Sequence, residues 1–279
     1  MLPKTVAVVG LGLIGGSLAL AWSRAGLTVW GVEIDPAVAE KALAAGAAER
    51  ICVPEELAGA EVIVLALPPR ACVRFLEQYA DRLPAGAVVT DTCGVKQTVV
   101  AGCEPVCQRC GLRFVGAHPM AGKEHNGFAN AQADLFAGAS YILAPTADTD
   151  PAALDTVRDL ALAAGCAGCT YTTPAEHDVR IAFTSQLPHV LAGAYVRSPV
   201  CASHVGFAAG SYRDVSRVAA VDEKLWSELF AENSAALQQE LDGLIERLGQ
   251  MRDALQTADR ERIAALIREG RMAKEQMRE

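Results

Sequence analysis

The sequence predicts an α/β fold: a doubly wound sheet in the N-terminal half and an all-helical C-terminal half. Three observations carry that expectation. Short β-branched runs without polar alternation recur through the first half, the pattern of strands buried on both faces. A glycine-rich turn, Gly10-Leu11-Gly12-Leu13-Ile14-Gly15, joins the first run to a helical stretch. After about residue 171 the strand-like runs stop.

"TVAVVG", residues 5 to 10, is the first strand, and the helix after the turn runs to about Ala25, where Gly26 ends it. "LTVWGVEID" is the second strand, with Glu33 near its end. Strand, G-x-G-x-x-G, helix, strand and acid form a dinucleotide-binding unit in which each part has a mechanical reason. Gly10 allows the tight turn, Gly12 lets backbone N–H groups approach a pyrophosphate, and Gly15 lets the helix pack close. Leu13 and Ile14 open the helix whose positive end faces the phosphates. The Glu33 carboxylate accepts both ribose hydroxyls and repels a 2′-phosphate, so the expected cofactor is NAD rather than NADP.

Further βα units follow. "AEVIVLALPPR" ends in a stiff loop at Leu67-Pro68-Pro69, "GAVVTDTCGVK" ends near Asp91, and "LRFVGAHPM" and "ASYILAPT" are the next strands. Ligands of open α/β sheets bind outside the carboxyl ends of the strands. Leu67, Pro68, Asp91 and Gly94 are therefore expected to border the cofactor, and His118 to stand at its edge. "DTDPAALDTVRDLALAAG" reads as a helix capped by Asp150, with Pro151 in its first turn.

Thr173-Pro174-Ala175-Glu176 is a capping box that opens the helical half. Leu237, Leu241, Leu244, Ile245, Leu248, Met251 and Leu255 form one apolar helical stripe, expected to pack in the core and to be shared with a second subunit in a homodimer. Taken singly, His189 reads as a core histidine and Arg217 as one half of a helix-end ion pair. The expected division is a dinucleotide-binding domain over residues 1–170 and a helical domain over 171–279.

The formal net charge of −8 supplies no basic footprint for nucleic acid or an anionic membrane. Glycines break the apolar N-terminus before it reaches the length of a membrane span, so a soluble, cytoplasmic protein is expected. The nine cysteines are odd in number, which argues against a disulfide framework. Pro105 is expected to interrupt any helix carrying Cys103, Cys107 and Cys110, and no metal site is expected.

Together, "VVGLGLIGGSLA", "VTDTCGVK", "FVGAHPMAGKEHNGF", "TPAEHDVRIAFTSQLPHVLA" and "YRDVSRVAAVDEKLW" resemble the prephenate/arogenate dehydrogenase family of tyrosine biosynthesis, nearly end to end. The resemblance implies a Rossmann-like domain, a helical dimerisation domain and a site between them. It implies NAD-dependent oxidative decarboxylation of prephenate to 4-hydroxyphenylpyruvate, or of arogenate to tyrosine. His118 matches the family histidine that accepts a hydrogen bond from the C4 hydroxyl, and Arg217 the arginine that grips a carboxylate. His189 matches a histidine that seats substrate, Asp214 and Trp226 residues that shape the pocket, and Glu124 an acid near the entrance.

Departures from the family pattern are also visible. Gly94 stands where many relatives carry a serine that touches the catalytic histidine, so a water, Cys93 or Thr92 must substitute, or the histidine is oriented otherwise. Gln186 stands where some relatives carry another histidine. Lys123 replaces a small or hydroxylic residue and either meets a substrate carboxylate or points to solvent. Two rivals share the build: a β-hydroxyacid or imine dehydrogenase, and an NAD-sensing protein without turnover.

Overall fold

The structure, a computed structural model, describes residues 2–123 and 125–277. The chain runs β1 (Thr5–Val9), α1 (Leu13–Arg24), β2 (Thr28–Val32), α2 (Pro36–Ala44), β3 (Arg50–Ile51), β4 (Val62–Leu65), α3 (Pro69–Tyr79), β5 (Val88–Asp91), α4 (Gln97–Arg109), β6 (Arg113–Pro119), β7 (Ser140–Ala144), α5 (Pro151–Ala163) and β8 (Gly168–Tyr171). The strands form one sheet in the order β3-β2-β1-β4-β5-β6-β7-β8. Neighbours are parallel except β6 and β7, which are antiparallel.

Successive side chains of a strand point to opposite faces, and here both faces are covered. Val6 and Val8 pack with Leu18 and Trp22 of α1 on one side; Ala7 and Val9 pack with Phe75 and Leu76 of α3 on the other. This is why the strand runs read apolar without alternation. The Trp22 indole N–H donates to the Leu160 carbonyl at 2.9 Å and ties α1 to α5. β1 lies between β2 and β4, so the strand order reverses at its carboxyl end. That reversal opens the crevice in which such sheets bind ligands.

The glycine turn occupies this point. Gly10 has φ +88°, and a Cβ there would lie 2.6 Å from the Ala66 carbonyl oxygen. A Cβ on Gly15 would lie 1.9 Å from the Gly10 carbonyl oxygen. Only glycine allows this approach of helix to turn.

One local expectation fails. Pro105 does not interrupt its helix: α4 runs from Gln97 to Arg109 with the proline inside it. Val99, Val100, Cys103, Val106 and Cys107 are all buried on this helix. Their packing outweighs the roughly 3 kcal/mol that an internal proline costs.

The helices α6 (Pro174–Ile181), α7 (Leu187–Val196), α8 (Gly210–Ser216) and α9 (Glu223–Glu232) follow the sheet. They belong to the same compact unit, residues 1–233, so the expected boundary at 170/171 falls within it. The Thr173 hydroxyl caps α6 by accepting the Glu176 N–H at 3.2 Å, and the Glu176 side chain reaches back to the Thr173 N–H. One π turn, Ala182–Gln186, separates α6 from α7.

The second unit, Ser234–Glu279, consists of α10 (Ser234–Gln256) and α11 (Arg260–Gln276), which pack on each other. The apolar stripe lies on α10. The expectation of core packing holds at Leu237 and fails at Ile245, Leu248 and Leu255, which are 57%, 54% and 61% exposed. Two helices alone offer too little surface to cover the whole stripe. Among the described residues no helix is long and apolar enough to cross a membrane.

Candidate active site

His118 is the penultimate residue of β6. Alternation buries Ala117 completely and turns His118, half-buried, into a cavity of ≈ 400 Å³. Leu13 and Ile14 reach this cavity from the first turn of α1, and Gly94 from the loop after β5. Lys123 and Asn126 follow β6, while His189, Arg217 and Trp226 come from the helices. The crevice edge of the sheet and the helices of residues 174–232 thus share one cavity.

A chain of hydrogen bonds runs back from His118. Its Nδ1 lies 2.9 Å from His177 Nε2, and His177 Nδ1 lies 2.7 Å from Asp178 Oδ1. The carboxylate can only accept, so His177 donates from Nδ1. A neutral His177 then accepts at Nε2, and His118 donates from its own Nδ1. His118 Nε2 is left with a lone pair. Burial holds the His118 pKa well below the ordinary value of a histidine, and electrostatic coupling to the neighbouring His177 and the Lys96 charge act in the same direction. The imidazole is therefore neutral at neutral pH, the form that accepts a proton.

Asp178 is held in turn by the start of α4. Its Oδ1 accepts the Lys96 N–H at 2.7 Å, and its Oδ2 accepts the Gln97 N–H at 2.9 Å. These amides have no helical partner, so an acid on α6 caps a helix of the sheet. Lys96 itself is fully buried and paired with Asp91, which is also fully buried. Asp91 further accepts the N–H groups of Cys93 at 2.9 Å and Ala117 at 3.0 Å. The expectation that Asp91 borders the cofactor is corrected here: its oxygens are occupied inside the protein.

His189 sits on α7 just beyond the π turn. Its Nδ1 donates to the Ser185 carbonyl at 2.7 Å, and its ring stacks on Trp226 with centroids 3.8 Å apart. Burial lowers its pKa and the Arg217 charge adds to that, against the Ser185 bond. Gln186 is buried; its amide donates to the Leu229 carbonyl at 3.2 Å and its oxygen accepts from Asn233 at 2.8 Å. It binds α9 to the π turn, a feature frequent at functional sites.

The cofactor end can be tested on its own residues. Gly12 caps α1 without any side-chain acceptor, and a Cβ on it would meet nothing within 4 Å. The first-turn amides therefore open onto free space of the kind a pyrophosphate occupies. Glu33 follows β2; its Oε2 accepts the Leu11 N–H at 2.8 Å, and its Oε1 accepts those of Ile34 at 2.8 Å and Asp35 at 3.0 Å. Oε1 is filled by its two amides, and Oε2 keeps a second lone pair for a ribose hydroxyl. These residues fit NAD. Leu67 lies beside the glycine turn, where its Cδ2 would be 2.9 Å from a Cβ on Gly10. Pro68 caps α3.

Other expected site residues are placed as follows. Lys123 lines the cavity and donates to the Asn130 carbonyl at 3.3 Å. Asp214 is exposed on α8 and does not line the cavity. Glu124 lies outside the described residues. All nine cysteines are free thiols, and among the described residues no cluster of His, Cys, Asp or Glu could hold a metal ion. Cys93 does not stand in for the missing serine, because its Sγ points to the Leu67 carbonyl at 3.4 Å and to Cys72 Sγ at 3.5 Å.

Sequence reasoning did not single out His177, Asp178, Lys96 or Asp222. Asp222 caps α9 and also meets the Asn126 side chain; the Leu225 N–H foremost holds its carboxyl below the usual carboxylate range. The available signal was the phase of α6. The capping box fixes where the helix starts, and His177 and Ile181, one turn apart, share its buried face.

The fold and the cavity define a dinucleotide-dependent oxidoreductase, and NAD is its cofactor. Comparison with known proteins sharpens that class. The family described as "Prephenate dehydrogenase, nucleotide-binding domain" matches residues 18–167, and "Prephenate dehydrogenase, dimerization domain" matches residues 173–269. The chain is 30% identical to a prephenate dehydrogenase of Bacillus subtilis, over 93% of this chain and 72% of that protein. It resembles the solved prephenate dehydrogenase of A. aeolicus, in complex with hydroxyphenyl propionate and NAD+, with a TM-score of 0.89, 26% identity and 98% coverage of each chain. Against the solved Synechocystis arogenate dehydrogenase the TM-score is 0.79 at 29% identity, covering 97% of this chain and 99% of that one. The chain belongs to the prephenate dehydrogenase family.

Proposed function

We propose that this protein oxidises and decarboxylates prephenate to 4-hydroxyphenylpyruvate, or arogenate to tyrosine, as a step of tyrosine biosynthesis. The observation that carries the reading is the cavity shared by a lone-pair nitrogen of His118, the Arg217 guanidinium and the first turn of the dinucleotide helix.

When bound, NAD supplies the hydride acceptor. His118 Nε2 accepts the hydrogen bond of the C4 hydroxyl, takes its proton as the hydride leaves C4, and returns it to the phenolate oxygen formed when carbon dioxide departs. A positioned base of this kind typically contributes roughly 10² to 10⁴ in rate. Arg217 grips a substrate carboxylate through its planar fork, and Lys123 adds a second positive charge at the wall. His189 and Trp226 form a stacked surface against which the ring is held. Asp214, exposed beyond the wall, braces the helix end that carries Arg217.

The assignment of residues 1–170 to cofactor and 171–279 to substrate and dimerisation belongs to the same reading. So does a homodimer, supported by the exposed Ile245, Leu248 and Leu255 of α10. A cytoplasmic location is supported by the free thiols, which reducing compartments preserve. The test is absorbance at the NADH band with NAD and either substrate. Growth of the band with one of them is expected; no growth with both, in protein that binds NAD, would overturn the proposal.

A further inference from the structure

We propose that His177 is a positioning residue for this reaction: it fixes the tautomer of His118, as Asp178 fixes that of His177. The inference rests on the assignment of His118 as proton acceptor.

A free neutral imidazole exchanges between Nδ1–H and Nε2–H forms. In the second form His118 would aim an N–H at the substrate hydroxyl, and two donors would face each other. The ring therefore needs a dedicated acceptor at Nδ1. Gly94 supplies none: the Cβ it lacks would lie 3.9 Å from His118 Cε1. Cys93 is turned towards Leu67. His177 Nε2, at 2.9 Å, supplies it.

The supply is directional because Asp178 cannot donate. Its carboxylate accepts from His177 Nδ1 at 2.7 Å and from the Lys96 and Gln97 amides. An acceptor engaged by three N–H groups has one arrangement, and it dictates each ring behind it. The same bonds join α6 to the loop that bears Gly94. Docking of the helices on the sheet and the choice of the reactive nitrogen are thus one event. This is how the chain dispenses with a hydroxyl at position 94.

Two substitutions separate positioning from mere packing. The amide of glutamine reaches the place of an imidazole Nε2, and that of asparagine the place of Nδ1. His177→Gln keeps the acceptor for His118 and loses the bond to Asp178; His177→Asn does the reverse. We expect His177→Gln to retain kcat to within about 10-fold. His177→Asn should lose roughly 100-fold or more, with KM for NAD unchanged in both. Equal losses, or the larger loss in His177→Gln, would overturn the proposal.

Nitrogen-15 NMR of histidine-labelled parent protein decides the matter even where a variant does not fold. A proton on His118 Nδ1 and a bare Nε2 are expected, and a proton on Nε2 would overturn the proposal. This readout needs no turnover. A parent protein inactive on both substrates would count against the assigned reaction and leave the tautomer reading to the spectrum.

Discussion

Lys96 and Arg217 are cations of the same compact unit, and their surroundings are opposite. Lys96 is sealed at 0% exposure beside an equally buried Asp91. Arg217 is exposed on the cavity wall. A buried charge gives up its hydration and is tolerated only when paired and hydrogen-bonded. An exposed one keeps its hydration and can exchange it for a ligand. The first kind of cation holds the site's frame, and the second meets what enters it. Mutations should keep the two roles apart.

The largest effect is expected at the frame. Lys96→Met leaves Asp91 buried without its counter-charge and should cost about 3–5 kcal/mol, read as a fall in the denaturation midpoint. A loss below about 1 kcal/mol would mean that Asp91 takes up a proton or another partner, and the contrast would blur. Next comes the base. His118→Ala should lower kcat by roughly 10² to 10⁴ while changing the substrate's KM little. A raised KM at unchanged kcat would assign His118 to binding alone. Arg217→Ala should raise the substrate's KM by about 10- to 100-fold, as expected for a lost charged hydrogen bond, with stability and kcat nearly unchanged. A stability loss like that of Lys96→Met would remove the distinction.

The sequence discloses the cofactor end more fully than the proton path, for a reason of chain geometry. The glycine turn is local: Gly10, Gly12 and Gly15 meet their constraints within one turn and one helix start. Their meaning is legible in a short window. Glu33 is likewise placed by the strand that follows. The path from His118 joins residues 59 positions apart, and Asp178 caps a helix start 82 positions away. No window contains both partners. The histidine was legible at the end of its strand, but its support was not.

Asp91 shows the same limit from the other side. It stands at a strand's carboxyl end, where ligand-binding residues gather, yet Lys96, Cys93 and Ala117 occupy it from within. Position along a strand does not reveal whether a side chain faces the crevice or the core. Pro105 and the α10 stripe misled for a related reason, since packing decides both and propensity decides neither.

The central claim is that a neutral His118 takes the substrate's proton. The dependence of kcat/KM on pH tests it most directly. Burial, coupling to the neighbouring His177 and the Lys96 charge lower the pKa of His118, so its active, neutral form persists as pH falls and is lost only on the acid side of about 6.5. The account predicts a rate that is level through neutral pH, falls with one proton well below 6.5, and loses that acid limb in His118→Ala. An acid limb at or above 6.5, or the same limb in the alanine variant, would contradict it.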